Sequence, residues 1–221
     1  MRVLAVDTAT PCGSLAVAGP GGVLAEVRLV AGGGHSGWVL PAAQAVLVGL
    51  GLEAGALDLF AVTIGPGSFT GLRVGLGTVQ GLAVASGRPC VGLSTLDVMA
   101  LSAAGSAGTI VALINAFRGE VYSGVYDSTG TLRGERRVGP LARTLEGLPA
   151  GAAFVGEVAL ASRDVIRGSV PDAVFPDEGR FLAASLGLAA LRLAAEGRTV
   201  APSALRPLYL RDAGIRVPRK P

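Results

Sequence analysis

At 221 residues the chain can bury a real core, as one large domain or two small lobes. Half of its residues are hydrophobic and only 16% are charged, with a mean hydropathy of +0.56. No uninterrupted apolar run reaches the roughly 18–20 residues of a spanning helix, and Asp7 interrupts the N-terminal apolar stretch too early for a secretory signal. The formal net charge of +3 comes almost wholly from arginine, with Lys220 the only lysine, which reads as a compositional habit rather than a nucleic-acid footprint.

The first hundred residues divide into short elements. Residues 2–6 are apolar and β-prone, and DTATPCG supplies turn formers after them. Further strands are expected at 14–18 and 23–30, joined by the GPGG turn at 19–22. Ser36 can cap a helix running to about Leu50, with Pro41 near its first turn. A buried strand at 59–64, a helix over 70–85, a strand at 90–93 and a helix over 94–104 follow. The order β-β-β-α-β-α-β-α is that of a ribonuclease H-like mixed sheet.

The second half opens in the same way. Strands are expected at 109–115, 120–127, 131–138, 152–155 and 173–175, and helices at 141–147, 158–167 and 180–196. The repeated β-β-β-α opening suggests a duplicated unit. The expected fold is α/β, with two ribonuclease H-like lobes of the actin, sugar-kinase and Hsp70 type: residues 1–106 form the first, and 107–221 a trimmed second.

Elimination narrows the chemistry. One histidine, His35, and two separated cysteines, Cys12 and Cys90, supply neither a zinc site nor a CxxC pair, and suit a reducing cytoplasm. There is no GxxxxGK[ST] and no GxSxG, and His35 is the sole candidate base for a Ser or Cys nucleophile. The strand LFAVTI lacks the carboxylate of a two-metal nuclease. Asp7 and Thr8, at the end of the first strand, stand where actin-like ATPases hold magnesium and a phosphate; alternatively, the Asp7 carboxylate caps its own turn. The matching loop of the second half, Asn115 to Glu120, carries one glycine and two charges, Arg118 and Glu120, and lacks a phosphate loop's glycine and hydroxyl richness.

GPGSFTGLR at 65–73 opens a helix, so its N–H groups, with Ser68, Thr70 and Arg73, could meet an anion. That helix holds Gly71, Gly75, Gly77 and Gly81, each costing up to about 1 kcal/mol against alanine. Glycines four apart permit close backbone approach, either within the lobe or to another protein, with Leu72, Leu76 and Val79 supplying apolar contact.

DTAT, His35-Ser36 with Leu40-Pro41, GPGSFTGLRVGLGTVQGLA, GLSTLD, RGEVY and Pro207-Leu-Tyr-Leu-Arg211 together resemble the TsaB (YeaZ) family, from residue 3 to residue 211. The resemblance implies a degenerate actin-like ATPase, a non-catalytic cytoplasmic subunit of the machinery that forms threonylcarbamoyladenosine beside the anticodon of ANN-decoding tRNAs. It implies a TsaD-like paralogue as catalytic partner, a TsaE-like ATPase, homodimer formation, and contact with tRNA through the complex, with no cofactor of its own and with ATP and metal held by the partners. The implied docking residues are His35, Trp38, Val39, Gly71, Leu72, Gly75, Leu76 and Val79. Asn115 departs from the family's usual aspartate, and the basic tail from Arg211 reads as a solvated end.

Overall fold

The structure is a computed structural model that describes residues 1–30, 34–177 and 179–210. Strands β1 (Val3–Asp7), β2 (Cys12–Gly19), β3 (Gly22–Val30), β4 (Leu59–Gly65) and β5 (Cys90–Ser94) form a sheet in the order β3-β2-β1-β4-β5. The hairpin pairs are antiparallel, while β1–β4 and β4–β5 are parallel. The second sheet, of β6 (Thr109–Asn115), β7 (Glu120–Asp127), β8 (Arg137–Pro140) and β9 (Ala153–Val155), runs β8-β7-β6-β9. These are the two ribonuclease H-like units expected, the second shorter by a strand.

Side-chain alternation divides the interior into three layers. On one face of the first sheet Leu4, Val6, Leu15 and Val17 pack against α1 (Val39–Gly49) and α2 (Phe69–Ser86). On the other, Val3, Ala5, Ala16 and Ala18 meet α3 (Thr95–Ser102) and α7 (Ala183–Ala195). Ile110, Ala112 and Ile114 of β6 close the same central layer from the far side, while Val111 and Leu113 face a third cluster with Ile166. Gly187 lets α7 lie close on the first sheet, since a Cβ there would stand 3.3 Å from Ala18 and 3.4 Å from Ala5. The helix expected for the second lobe thus roofs the first.

Four expectations need correction. The helix expected from Ser36 begins at Val39, and no side chain caps it. The strand expected at 131–138 is reduced to Arg137–Pro140, because Asp127 Oδ1 accepts the N–H groups of Thr129 and Thr131 and spends them on a turn. The helix expected at 158–167 is two, α5 (Glu157–Ala161) and α6 (Arg163–Ser169), parted at Ser162, where φ is −111°. Residues 173–175 contribute one bridge, Val174 to Ala153. The remaining helix, α4 (Leu141–Leu145), stands near its expected place. Arg211 and the basic tail lie outside the described residues.

One polar node ties the halves together. Asp97 on α3 accepts from the Tyr126 hydroxyl at 2.8 Å and from Arg136 at 2.9 and 2.5 Å. Tyr126 is wholly buried, so removing the carboxylate strands both donors. Asp97→Ala is expected to cost about 3 kcal/mol in urea unfolding, against under 1 kcal/mol for the exposed pair Glu196–Arg198.

Candidate functional site

The loops at one end of the two sheets enclose a cleft. Its first hollow, about 290 Å³, is lined by Thr10, His35, Ser68, Thr70, Asn115, Phe117 and Glu157, among others. A second, about 650 Å³, shares Thr10, Pro11, Asn115 and Glu157 and extends to Cys12 and Arg180. Both lie where β1 turns into β2, and where β6 turns into β7.

Asp7 does not open into this cleft. It is wholly buried beneath the hairpin, where its Oδ1 accepts from Thr63 Oγ1 at 2.6 Å and from the Ala9 N–H at 3.1 Å. Its Oδ2 has no partner. Burial pushes its carboxyl up to about 6, against the pull of the Thr63 and Ala9 bonds. Of the two readings open in the sequence, the turn-capping carboxylate is the one found. Thr8 is buried too, its hydroxyl donating to Gly71 O at 2.8 Å. As a phosphate-binding pair Asp7 and Thr8 are therefore corrected: neither lines the cleft.

The other anion-binding candidates are dispersed. Ser68 and Thr70 line the first hollow, and Ser68 Oγ caps α2 by accepting from Gly71 N at 3.2 Å. Arg73 lies instead over the Phe69 ring, 3.9 Å from its centroid, and Phe69 stands 6.0 Å from Tyr209. Arg118 is exposed at a hairpin tip where Phe117 (φ 60°) and Arg118 (φ 56°) are left-handed. Glu120 lines a different groove with Arg137 and Arg143.

The docking candidates divide as sharply. Val39, Leu72, Leu76 and Val79 are at most 5% exposed and belong to the interior, so the expectation that they face a partner is corrected. Gly71 and Gly75 are used internally: a Cβ would fall 2.1 Å from Thr8 O and 2.3 Å from Thr8 Oγ1, respectively. Their closeness seats α2 on the β1 turn. Gly77 and Gly81, by contrast, are exposed with no other atom near a Cβ. The outward surface of α1 and α2 carries Leu40 (54% exposed), Val48 (72%), Phe69 (51%) and Val84 (68%). Beside it lies an apolar groove of about 480 Å³ bounded by Leu40, Gln44, Val48, Leu52 and Leu82. His35 is buried and Trp38 half-buried, both at the start of α1.

Reading the sequence missed Glu157. It begins α5, accepts a backbone bond from Asn115, and has its carboxyl raised by burial. The available signal was Gly156 after a short strand: φ is 104° there, and a Cβ would meet Leu113 O at 2.2 Å.

Comparison with known proteins agrees with this architecture. A family model described as "TsaD: tRNA N6-adenosine threonylcarbamoyltransferase" matches residues 16–217. The tRNA threonylcarbamoyladenosine biosynthesis protein TsaB of Escherichia coli is 35% identical over 96% of this chain and 95% of its own length. The chain belongs to the TsaB family. The structure of a Pseudomonas aeruginosa protein described as having similarity to the peptidase YeaZ superposes with a TM-score of 0.83 at 31% identity, covering 95% of this chain and 99% of that one. The activator of a 2-hydroxyisocaproyl-CoA dehydratase from Clostridium difficile shares the fold, with a TM-score of 0.59 at 12% identity over 95% of this chain and all of that one. Among the described residues no helix is long and apolar enough to cross a membrane.

Proposed function

We infer that this TsaB-family chain is the non-catalytic subunit of the assembly that makes threonylcarbamoyladenosine in tRNA. It binds and activates a TsaD-like paralogue through the outward face of α1 and α2. A TsaE-like ATPase joins the assembly, and tRNA is engaged through the complex. The observation that carries this reading is the α1–α2 surface: four large apolar side chains more than half exposed, an apolar groove, and two glycines on a helix with nothing over them. Burying such a patch is the ordinary driving force of protein association, and Gly77 and Gly81 allow a helix backbone to approach closely.

Asp7, the carboxylate considered for magnesium, is sealed under the hairpin and does not line the cleft. The His35 base that a peptidase reading would need has both ring nitrogens engaged, with Thr10 O and with Trp38 Nε1.

The test is reconstitution with the TsaD paralogue of the same organism, followed by light scattering and tRNA modification. Complex formation, with modification requiring both chains, is expected. Gly77→Trp should abolish the complex and leave the melting temperature of the free chain within about 2 °C, as a surface substitution should. Undiminished binding by that variant, or modification by this chain alone, would overturn the reading. A second copy of the chain competes for the same face, so Gly77→Trp should also make any homodimer monomeric.

A further inference from the structure

His35 and Trp38 are the only histidine and the only tryptophan in the chain, and their rings meet edge to face with centroids 5.9 Å apart. His35 Nε2 lies 2.8 Å from Thr10 O. A carbonyl oxygen can only accept, so Nε2 carries the hydrogen. Nδ1 lies 3.0 Å from Trp38 Nε1, an indole N–H that can only donate, so Nδ1 presents its lone pair. Together the two contacts select a single neutral tautomer and leave no place for a second proton. The pair also covers Gly13, where a Cβ would come within 2.5 Å of Trp38 and 2.7 Å of His35.

Trp38 immediately precedes α1, which has neither a side-chain cap nor an acidic residue in its first turn. Its carbonyl receives the Ala42 N–H at 2.9 Å, the first bond of the helix. The start of α1 is therefore held by a chain of contacts from the helix to Trp38, then His35, then Thr10 of the β1–β2 turn. His35 also forms part of the cleft wall, so solvent protons have a route to it.

The geometry points to a proton-sensitive latch: neutral His35 pins the start of α1 to the β1–β2 turn, and protonation releases it. A proton on Nδ1 turns the acceptor into a donor facing the Trp38 N–H, and that bond is lost. Among the described groups around the ring, Glu157 of α5 shares the cleft wall and is the one carboxylate there that favours the charged form. Asp7 lies beneath the hairpin, bonded to Thr63 and Ala9, and Cys12 receives a bond from Arg180. The α2 contribution to the wall, Ser68 to Gly71, is uncharged. No charged side chain among the described residues bonds the ring itself, so the lost Trp38 contact has no replacement.

The latch is a property of the free chain. Only its consequence, that acid weakens docking through α1, rests on the proposed partner role. The experiment therefore uses the full chain alone, stepped from about pH 8 down to about pH 5. The single tryptophan should show a fluorescence transition. Amide exchange at Ala42 and Ala43, corrected for its intrinsic pH dependence, should become about fivefold faster at the acid end, the weight of one hydrogen bond. His35→Gln is the control: its side-chain amide can donate to Thr10 and accept from Trp38 without titrating, so both changes should vanish. No fluorescence transition, a transition that persists in His35→Gln, or α1 exchange indifferent to pH would each overturn the latch. If the latch stands while acid leaves partner binding untouched, docking through the start of α1 fails instead.

Discussion

A Gly71→Ala substitution is expected to destabilise the isolated chain by about 3 kcal/mol, the upper end of overpacking costs, and to lower its melting temperature by about 10 °C. The added carbon would sit 2.1 Å from a backbone atom, Thr8 O, which no rotamer change can move aside. Relief requires α2 to lift from the β1 turn, breaking the Thr8 hydroxyl bond to Gly71 O. The same change at Gly77, on the open side of the same helix, should stabilise by about 1 kcal/mol through helix propensity alone. Opposite signs in one urea-melt series would separate the glycines that seat the helix from those left for a partner. Equal effects at the two positions would show that the helix does not lie as described.

The second large effect is a pH dependence centred on Asp7. Burial raises its carboxyl from 3.8 to about 6, so the folded chain holds that proton more tightly than the unfolded chain does. The sign follows: the contribution favours folding below the unfolded value, is lost as pH rises through about 6, and is fully lost above that. The loss amounts to about 3 kcal/mol for a wholly buried group. Asp7→Asn keeps an acceptor for Thr63 and Ala9 but carries no charge. Its melting temperature should therefore exceed the wild type's above pH 7 and match it near pH 4. A wild-type advantage at neutral pH would mean that the carboxylate is needed ionised, as a metal-binding role requires. The comparison with Asp7→Asn isolates this term from the His35 latch, which is common to both proteins.

Much of the architecture was legible because short apolar runs and turn residues are local signals. LAV and LAVA are short continuous apolar runs bounded by turn residues, GPGG closes a hairpin, and Gly87 ends α2 in a left-handed conformation. What the sequence could not reveal was which side of an element faces what. Gly71 and Gly77 look alike in the chain, and only the seat of Thr8 against α2 distinguishes them. Asp7 invited a metal role by its position, while the Thr63 hydroxyl that engages it lies 56 residues away. Residues 131–138 read as a strand because the propensities suit one, but a side chain at Asp127 competes for the amides. Glu157 carried no local pattern beyond the glycine before it.

The roofing of the first sheet by α7 bears on how the chain is made. Val3, Ala5, Ala16 and Ala18 leave the ribosome early, yet the helix that covers them ends at residue 195. At roughly 5–20 residues per second, those side chains wait some ten seconds or more for their cover. During synthesis the nascent first half has α1 and α2 on one side of its sheet and only the short α3 on the other, leaving an apolar surface that a chaperone can hold until α7 arrives.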